Sequence, residues 1–327
     1  MSFPRHRLRR LRGAEAIRNL VQEIRLSPSD LVYPIFVAGD DNVRSPLQAI
    51  PGQDMLSGNH LLDEMRAVRD LGIPAVLLFG ILADEDKDSH ASASYSPEGP
   101  VQRAVRQIKA AVPELALIAD LCLCEYTDHG HCGLLKNGEI DNDLTLACLR
   151  KGALSLAEAG CGVIAPSGVM DGSVFAIRSA LDEAGYEDVL TMPYSAKFAS
   201  RLYGPFKEAT RSAPAESKHA THQVGVANAR QALSKIRADI EEGADIVIVK
   251  PALGFLDVVW RARRQFDVPI AAYSVSGEHN ALAAITDGDP EARREMILEA
   301  LTCIKRAGAG IIITYFAKEA AGWLRGR

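Results

Sequence analysis

The 327-residue chain lacks several features that would each have directed its interpretation. No stretch approaches the roughly 20 consecutive apolar residues that a membrane-spanning helix requires, so a membrane protein of that kind is excluded. Positive charge is not in excess: 37 Lys and Arg stand against 42 Asp and Glu, a net −5, and nothing global attracts nucleic acid or an anionic membrane surface. No Gly-x-Gly-x-x-Gly opens a helix after a strand, which removes the main support for a dinucleotide-binding fold. No secretory leader is read at the start, so the six cysteines speak for metal binding rather than a disulfide framework, and a cytoplasmic location is expected. The first dozen residues hold Arg5, Arg7, Arg9, Arg10 and Arg12 before the first acid, Glu15. Such starts can be targeting peptides, but Ala14, Ile17, Leu20, Val21 and Ile24 follow at helical spacing, and residues 1–28 read better as an arm lying on another surface.

What the chain does contain is a rhythm. Eight short runs rich in Val, Ile and Leu begin at Leu31, Ala75, Leu115, Gly162, Leu190, Asp245, Pro269 and Gly310. Amphipathic stretches separate them, at Asn59 to Leu71, Pro100 to Val112, Leu144 to Ala159, Ser173 to Ala184, Asn228 to Glu242, Leu256 to Phe266 and Glu291 to Ala307. Runs with so few polar residues suit parallel strands buried on both faces. Eight strand and helix units predict an α/β protein, a closed (β/α)8 TIM barrel over residues 29–327. Catalytic groups of such barrels sit at the carboxyl ends of the strands. Those ends carry Asp120, Cys122, Cys124, Ser167, Lys197, Lys250, Ser276 and Tyr315. Longer insertions follow the second strand, residues 83–99, and the fifth, residues 203–227, where lids and binding loops are expected.

Lys197 and Lys250 each close an apolar run. Burial, or a second cation nearby, lowers a lysine's pKa toward neutrality, and the free amine can then attack a ketone to form a Schiff base. Asp120, Cys122 and Cys124 are spaced by two, which on an extended strand end points all three to one side, and Cys132 returns to them across a short loop. Three thiolates suit zinc and leave the fourth tetrahedral position open, as catalytic zinc requires. Cys148, Cys161 and Cys303 lie apart and read as core residues.

These residues stand in strings that resemble the porphobilinogen synthase (5-aminolevulinate dehydratase) family: Asp120 to Thr127, His129 to Gly133, Tyr194 to Phe198, Val249 to Ala252, Val275 to Glu278 and Ile313 to Tyr315. The resemblance runs from Leu11 through Trp323 and implies an eight-stranded barrel whose N-terminal arm embraces a neighbouring subunit, usually within an octamer. It implies a hydro-lyase that condenses two 5-aminolevulinate molecules, with loss of two waters, to the pyrrole porphobilinogen for tetrapyrrole (heme) synthesis. Lys250 would hold the substrate that becomes the propionate side and Lys197 the one that becomes the acetate side, both as imines. Zinc on Cys122, Cys124 and Cys132 would polarise a substrate oxygen or supply hydroxide. Asp120 and Ser167 would handle protons or the substrate ammonium, and Ser276 and Tyr315 would donate hydrogen bonds to the carboxylate of the first substrate.

Departures from the family pattern cluster at the second substrate. Gly168 and Ser173 stand where the family usually has Asp and Arg. In the lid, Gly204-Pro205-Phe206-Lys207 and Lys218 place lysines where arginines are usual, so charge is kept but the bidentate fork is lost, and Gln223 is the expected downstream glutamine. The alternative is a paralogue that keeps both lysines and zinc and condenses a different amino ketone; a catalytically silent scaffold would have no need of two costly inward lysines. Lys235 stands where relatives with an allosteric magnesium carry glutamate; it reads as a solvated helix-face lysine, and no magnesium activation through it is expected.

Overall fold

In a computed structural model that describes residues 6–212 and 222–326, the eight runs form the expected ring. The strands are β1 (Leu31–Ala38), β2 (Ala75–Ile81), β3 (Ala116–Leu121), β4 (Val163–Pro166), β5 (Leu190–Thr191 and Ala196–Lys197), β6 (Val247–Lys250), β7 (Ile270–Ser274) and β8 (Ile311–Thr314). Every adjacent pair is parallel, and β8 returns to β1 with Leu31 opposite Ile312. The fifth run, expected to be one strand, is two short pieces. Pro193 lies between them and has no N–H to give a ladder. The ring still closes there: Met192 and Tyr194 donate to Ile164 and Pro166 of β4, and Ile248 of β6 donates to the Pro193 carbonyl.

Alternation along each strand divides the core in two. Val32 and Phe36 of β1, Leu77 and Phe79 of β2, and Ile118 of β3 fill the barrel, while Leu31, Tyr33, Ile35, Val37, Val76 and Leu78 pack outward under the helices. The same period of two directs later side chains. Ile248 faces in, so Lys250 does; Ala196 and Val249 face out, so Lys197 also points in.

The seven predicted helices are present within two residues at either end, and Ser276–Ile285, Ala317–Leu324 and the short Gly204–Ala209 join them. Two small hairpins, Arg44–Pro46 with Asp54–Leu56 and Leu135–Lys136 with Glu139–Ile140, went unread because strands of two or three residues carry no period. Ahead of the barrel, Leu8–Leu11 form a single turn and Glu15–Leu20 a helix with no buried residue; the helix stops short of Ile24, having no packed face to extend it. Among the described residues no helix is long and apolar enough to cross a membrane.

One sequence reading is corrected here. Lys235 is not a solvated lysine: its ammonium pairs with Asp239, one turn on, whose side chain is 1% exposed.

Candidate active site

The β5–β6 ladder places Lys197 directly opposite Lys250. Both side chains are buried at the carboxyl-terminal mouth of the barrel. Four rings surround the Lys250 ammonium, Tyr273 at 4.4 Å, Tyr194 at 4.9 Å, Phe206 at 5.1 Å and Tyr203 at 5.3 Å from centroid to Nζ. Among the described residues no carboxylate lies within ion-pair distance of it. Burial first, and then the charge of Lys197, push the Lys250 pKa down to about 7. Lys197 goes the other way. Burial pulls it down, but Cys132, Cys122, Cys124 and Asp120 outweigh that and hold its proton more firmly than usual. Its Nζ donates to the Ser167 carbonyl at 2.6 Å.

Asp120 faces in from β3. Burial, with Cys122 adding repulsion, raises its pKa to about 7. Oδ2 accepts from the Ser167 hydroxyl at 3.0 Å, whereas Oδ1 and the buried Tyr194 hydroxyl meet no partner of hydrogen-bonding geometry among the described residues.

The three cysteines converge, but not by strand alternation. Pairing with β4 ends at Leu121 opposite Pro166, and the chain then turns, Tyr126 and Thr127 both donating to the Leu123 carbonyl. Only Asp120 of the triplet is on the strand. The turn brings the buried sulfurs of Cys122, Cys124 and Cys132 within 4.8 Å of one another, Cys122 and Cys124 at 3.2 Å. Sulfurs around a tetrahedral zinc, each about 2.3 Å from it, are roughly 3.8 Å apart, so this donor set fits a soft divalent ion. Glu125, unassigned from sequence, is buried beside them with Oε2 3.1 Å from the Cys124 sulfur, and burial drives its pKa well up. Cys148 and Cys161 are buried away from the group, as core residues should be, and Cys303 is half-buried.

The helix Gly204–Ala209 lies over the mouth. Phe206 packs edge-on against Phe79, centroids 5.0 Å apart, and near Phe36 at 5.8 Å. The Ser276 hydroxyl accepts from the Phe206 N–H at 3.0 Å and donates to the Leu202 carbonyl at 3.3 Å, so it fastens this helix. Gly277 permits the approach, because a Cβ there would meet Leu202 backbone atoms at 2.7 and 2.9 Å. The cavity left between Phe206, Lys250, Lys197, Asp120, Cys132 and Gln223 is about 30 Å3, room for a water or two. Lys207 also lines it, half-buried, its pKa lowered by burial against the attraction of Cys132. Gln223 is placed by Val224, which donates to the Lys197 carbonyl and accepts from Ala199. His222 beside it is kept neutral, its pKa pushed to about 4 by burial and by Lys197. Tyr315 sits deeper, its hydroxyl accepting from Tyr273 at 3.1 Å. Lys218 lies outside the described residues.

The departures also have places. Gly168 faces the cysteine loop, and a Cβ there would come within 3.2 Å of the Cys132 carbonyl. Ser173 is the buried first residue of the helix Ser173–Glu183. The ring of tyrosines around Lys250, Glu125 and Ser212 on the cavity wall were not singled out from sequence. Tyr194 and Glu125 were signalled only by adjacency to the lysine and cysteine strings.

Fold and site together define a barrel enzyme with a buried lysine pair at the mouth of its strands. The sequence model of the Delta-aminolevulinic acid dehydratase family matches residues 5–323. The delta-aminolevulinic acid dehydratase of Synechococcus elongatus is 48% identical over 327 residues, covering 98% of this chain and 99% of that one, and that of Bacillus subtilis is 45% identical over 99% and 98%. A crystal structure of the Toxoplasma gondii enzyme with its reaction product porphobilinogen superposes with a TM-score of 0.94 at 42% identity, covering 98% of this chain and 92% of that one. The chain belongs to the delta-aminolevulinic acid dehydratase family.

Proposed function

We propose that this protein is a porphobilinogen synthase, a hydro-lyase that joins two 5-aminolevulinate molecules with loss of two waters. The observation that carries the reading is the pair of lysines in register, one of them poised near pH 7 inside an aromatic enclosure. A neutral Lys250 amine attacks the ketone of one substrate, water leaves, and the resulting imine acidifies the neighbouring carbon. Lys197 must shed its proton before it can do the same. We assign that proton to Asp120, the carboxylate that lines the same cavity. The enamine of one bound substrate then attacks the carbonyl carbon of the other, and the free amino group closes the ring.

Lys207, Gln223 and Lys218 are assigned to the second substrate's carboxylate, and Tyr315 and Ser276 to the first. Ser276 reaches a ligand only by exchanging its bonds to the overlying helix, which makes that helix, with Phe206, the lid of the site. Cys122, Cys124 and Cys132 would hold zinc, which supplies a Lewis acid for a substrate oxygen or a metal-bound hydroxide. Magnesium activation through Lys235 is not expected, because the ammonium of that residue already neutralises Asp239. Residues 1–28 serve as an arm joining subunits into a homo-oligomer, with an octamer as the assembly the family pattern implies, and residues 29–327 are the catalytic barrel; the compartment is the cytoplasm, and nucleic acid is not a partner.

The test is product formation from 5-aminolevulinate by zinc-loaded protein, with borohydride trapping and peptide mapping in parallel. Porphobilinogen at roughly 0.1 to 10 turnovers per second is expected, with adducts on Lys250 and Lys197 and loss of activity on chelation that zinc restores. Trapped adducts without porphobilinogen would mean that the altered second subsite takes another amino ketone; no adduct at all would defeat the reading.

A further inference from the structure

Lys87 belongs to none of the machinery described so far, yet its charged side chain is only 3% exposed. Burying an ammonium is costly unless its donors are used. Its Nζ lies 2.9 Å from Asp84 Oδ1 and donates to the Arg211 carbonyl at 2.8 Å, 124 residues away in sequence. Arg211 is where the lid helix ends. The Ser212 N–H bonds to the Lys207 carbonyl and the Arg211 N–H to the Glu208 carbonyl, the pattern of a helix stop that ordinarily has glycine in its left-handed position. Here that position is Arg211, with φ +50°, a conformation disfavoured for a residue with a side chain. Beyond it comes Ser212, buried, bonded to Thr210 at 2.7 Å and on the wall of the catalytic cavity.

The loop that carries Lys87 is itself fixed. Asp88 donates through its N–H to the Tyr126 carbonyl and accepts from the Asp128 N–H, both at 3.3 Å, so its backbone runs beside the turn that gathers the cysteines. Its carboxylate caps the N–H groups of His90 and Ser92. A rigid support thus presents one ammonium to the strained end of the helix that holds Phe206 and Lys207.

We propose that Lys87 is a positioning residue for the reaction, holding the strained stop at Arg211 so that Phe206, Lys207 and Ser212 close over the second substrate. It lines neither the catalytic cavity nor the cysteine cluster. The inference rests on the proposed lid for its kinetic consequence, but its structural part can be read without any substrate.

The experiment compares zinc-loaded wild type with Lys87→Met and Lys87→Arg by steady-state kinetics and by hydrogen exchange of peptides spanning residues 203–212. Lys87→Met should raise KM for 5-aminolevulinate about tenfold with kcat changed less than about twofold, and should speed exchange at Phe206 to Ser212 about tenfold while strand amides are unaffected. Lys87→Arg, which keeps a donor, should recover most of both. Adding Arg211→Gly to Lys87→Met, which relieves the left-handed strain, should restore slow exchange in part. Unchanged KM and exchange in Lys87→Met would overturn the proposal. So would faster exchange spread evenly over the barrel and not rescued by arginine, which marks a merely structural lysine. If wild type makes no porphobilinogen while the exchange pattern holds, the functional reading fails and the anchoring role survives.

Discussion

At the scale of single residues, the reactivity of the site resides in an asymmetry between two chemically identical side chains. Lys250 sits among rings that shield it from water, and burial together with the charge of Lys197 outweighs the attraction of Asp120 and Glu125, while Lys197 sits among sulfurs and a carboxylate, which favour its ammonium. With a depressed pKa, Lys250 is a free amine above about pH 7 and a protonated, unreactive one below it. Borohydride trapping of 5-aminolevulinate on Lys250 should therefore fall with a midpoint near pH 7, about tenfold per unit well below that. Lys197→Met removes a cation that helps depress Lys250, so the midpoint should move up; a midpoint near that of an ordinary lysine in wild type would refute the assignment. That both lysines stand at the ends of strands was legible in the sequence, because each closes an apolar run. The tyrosine enclosure was not: Tyr194, Tyr203 and Tyr273 come from three elements, and no local pattern announces that their rings meet at one nitrogen. Ser276 was read for its chemistry, but its present bonds to Leu202 and Phe206 depend on a loop 70 residues away.

Among the elements, the helix Ala229–Glu241 shows how a polar pair can look innocuous in one dimension. Lys235 and Asp239 are four residues apart, a spacing found on countless solvated helix faces. Here the pair is turned toward the barrel wall, where Asp239 lies near Ser195, two residues before Lys197. Lys235→Ala would leave a buried carboxylate without its counter-ion, which should lower stability by about 3 kcal/mol in urea unfolding. Wild type should show no change in activity on adding magnesium; a loss under about 1 kcal/mol would mean that the ammonium does not neutralise Asp239. The helices and strands themselves were readable to within a residue or two wherever their period ran over several turns. Where a single residue breaks the period the reading failed, as at Pro193, which splits β5, and after Leu121, where the chain leaves the ladder to gather the cysteines.

For the whole molecule, the barrel followed from eight repeated units, and its active face from the rule that strand ends bear the chemistry. The segment ahead of the barrel is less self-sufficient. Leu8 is 69% exposed and Leu20 75%, with Leu11 and Val21 also open to solvent, an apolar surface that the chain's own barrel does not cover. Such a stripe is what the proposed role of residues 1–28 in joining subunits would use. Removing residues 1–24 should lower the mass seen by light scattering to that of a smaller assembly; an unchanged mass would assign subunit contacts to the barrel itself.

The opposition of Lys197 and Lys250 across one rung of the β5–β6 ladder has a further meaning. Neighbouring strands lie about 4.8 Å apart wherever they pair, so the interval between the backbone positions from which the two lysine stems rise is fixed by backbone hydrogen bonds. The barrel acts as a ruler. Changes in the surrounding rings, thiols or lid can alter when each amine reacts and where its stem points, but the separation from which the two stems set out belongs to the sheet and is as invariant as the sheet itself.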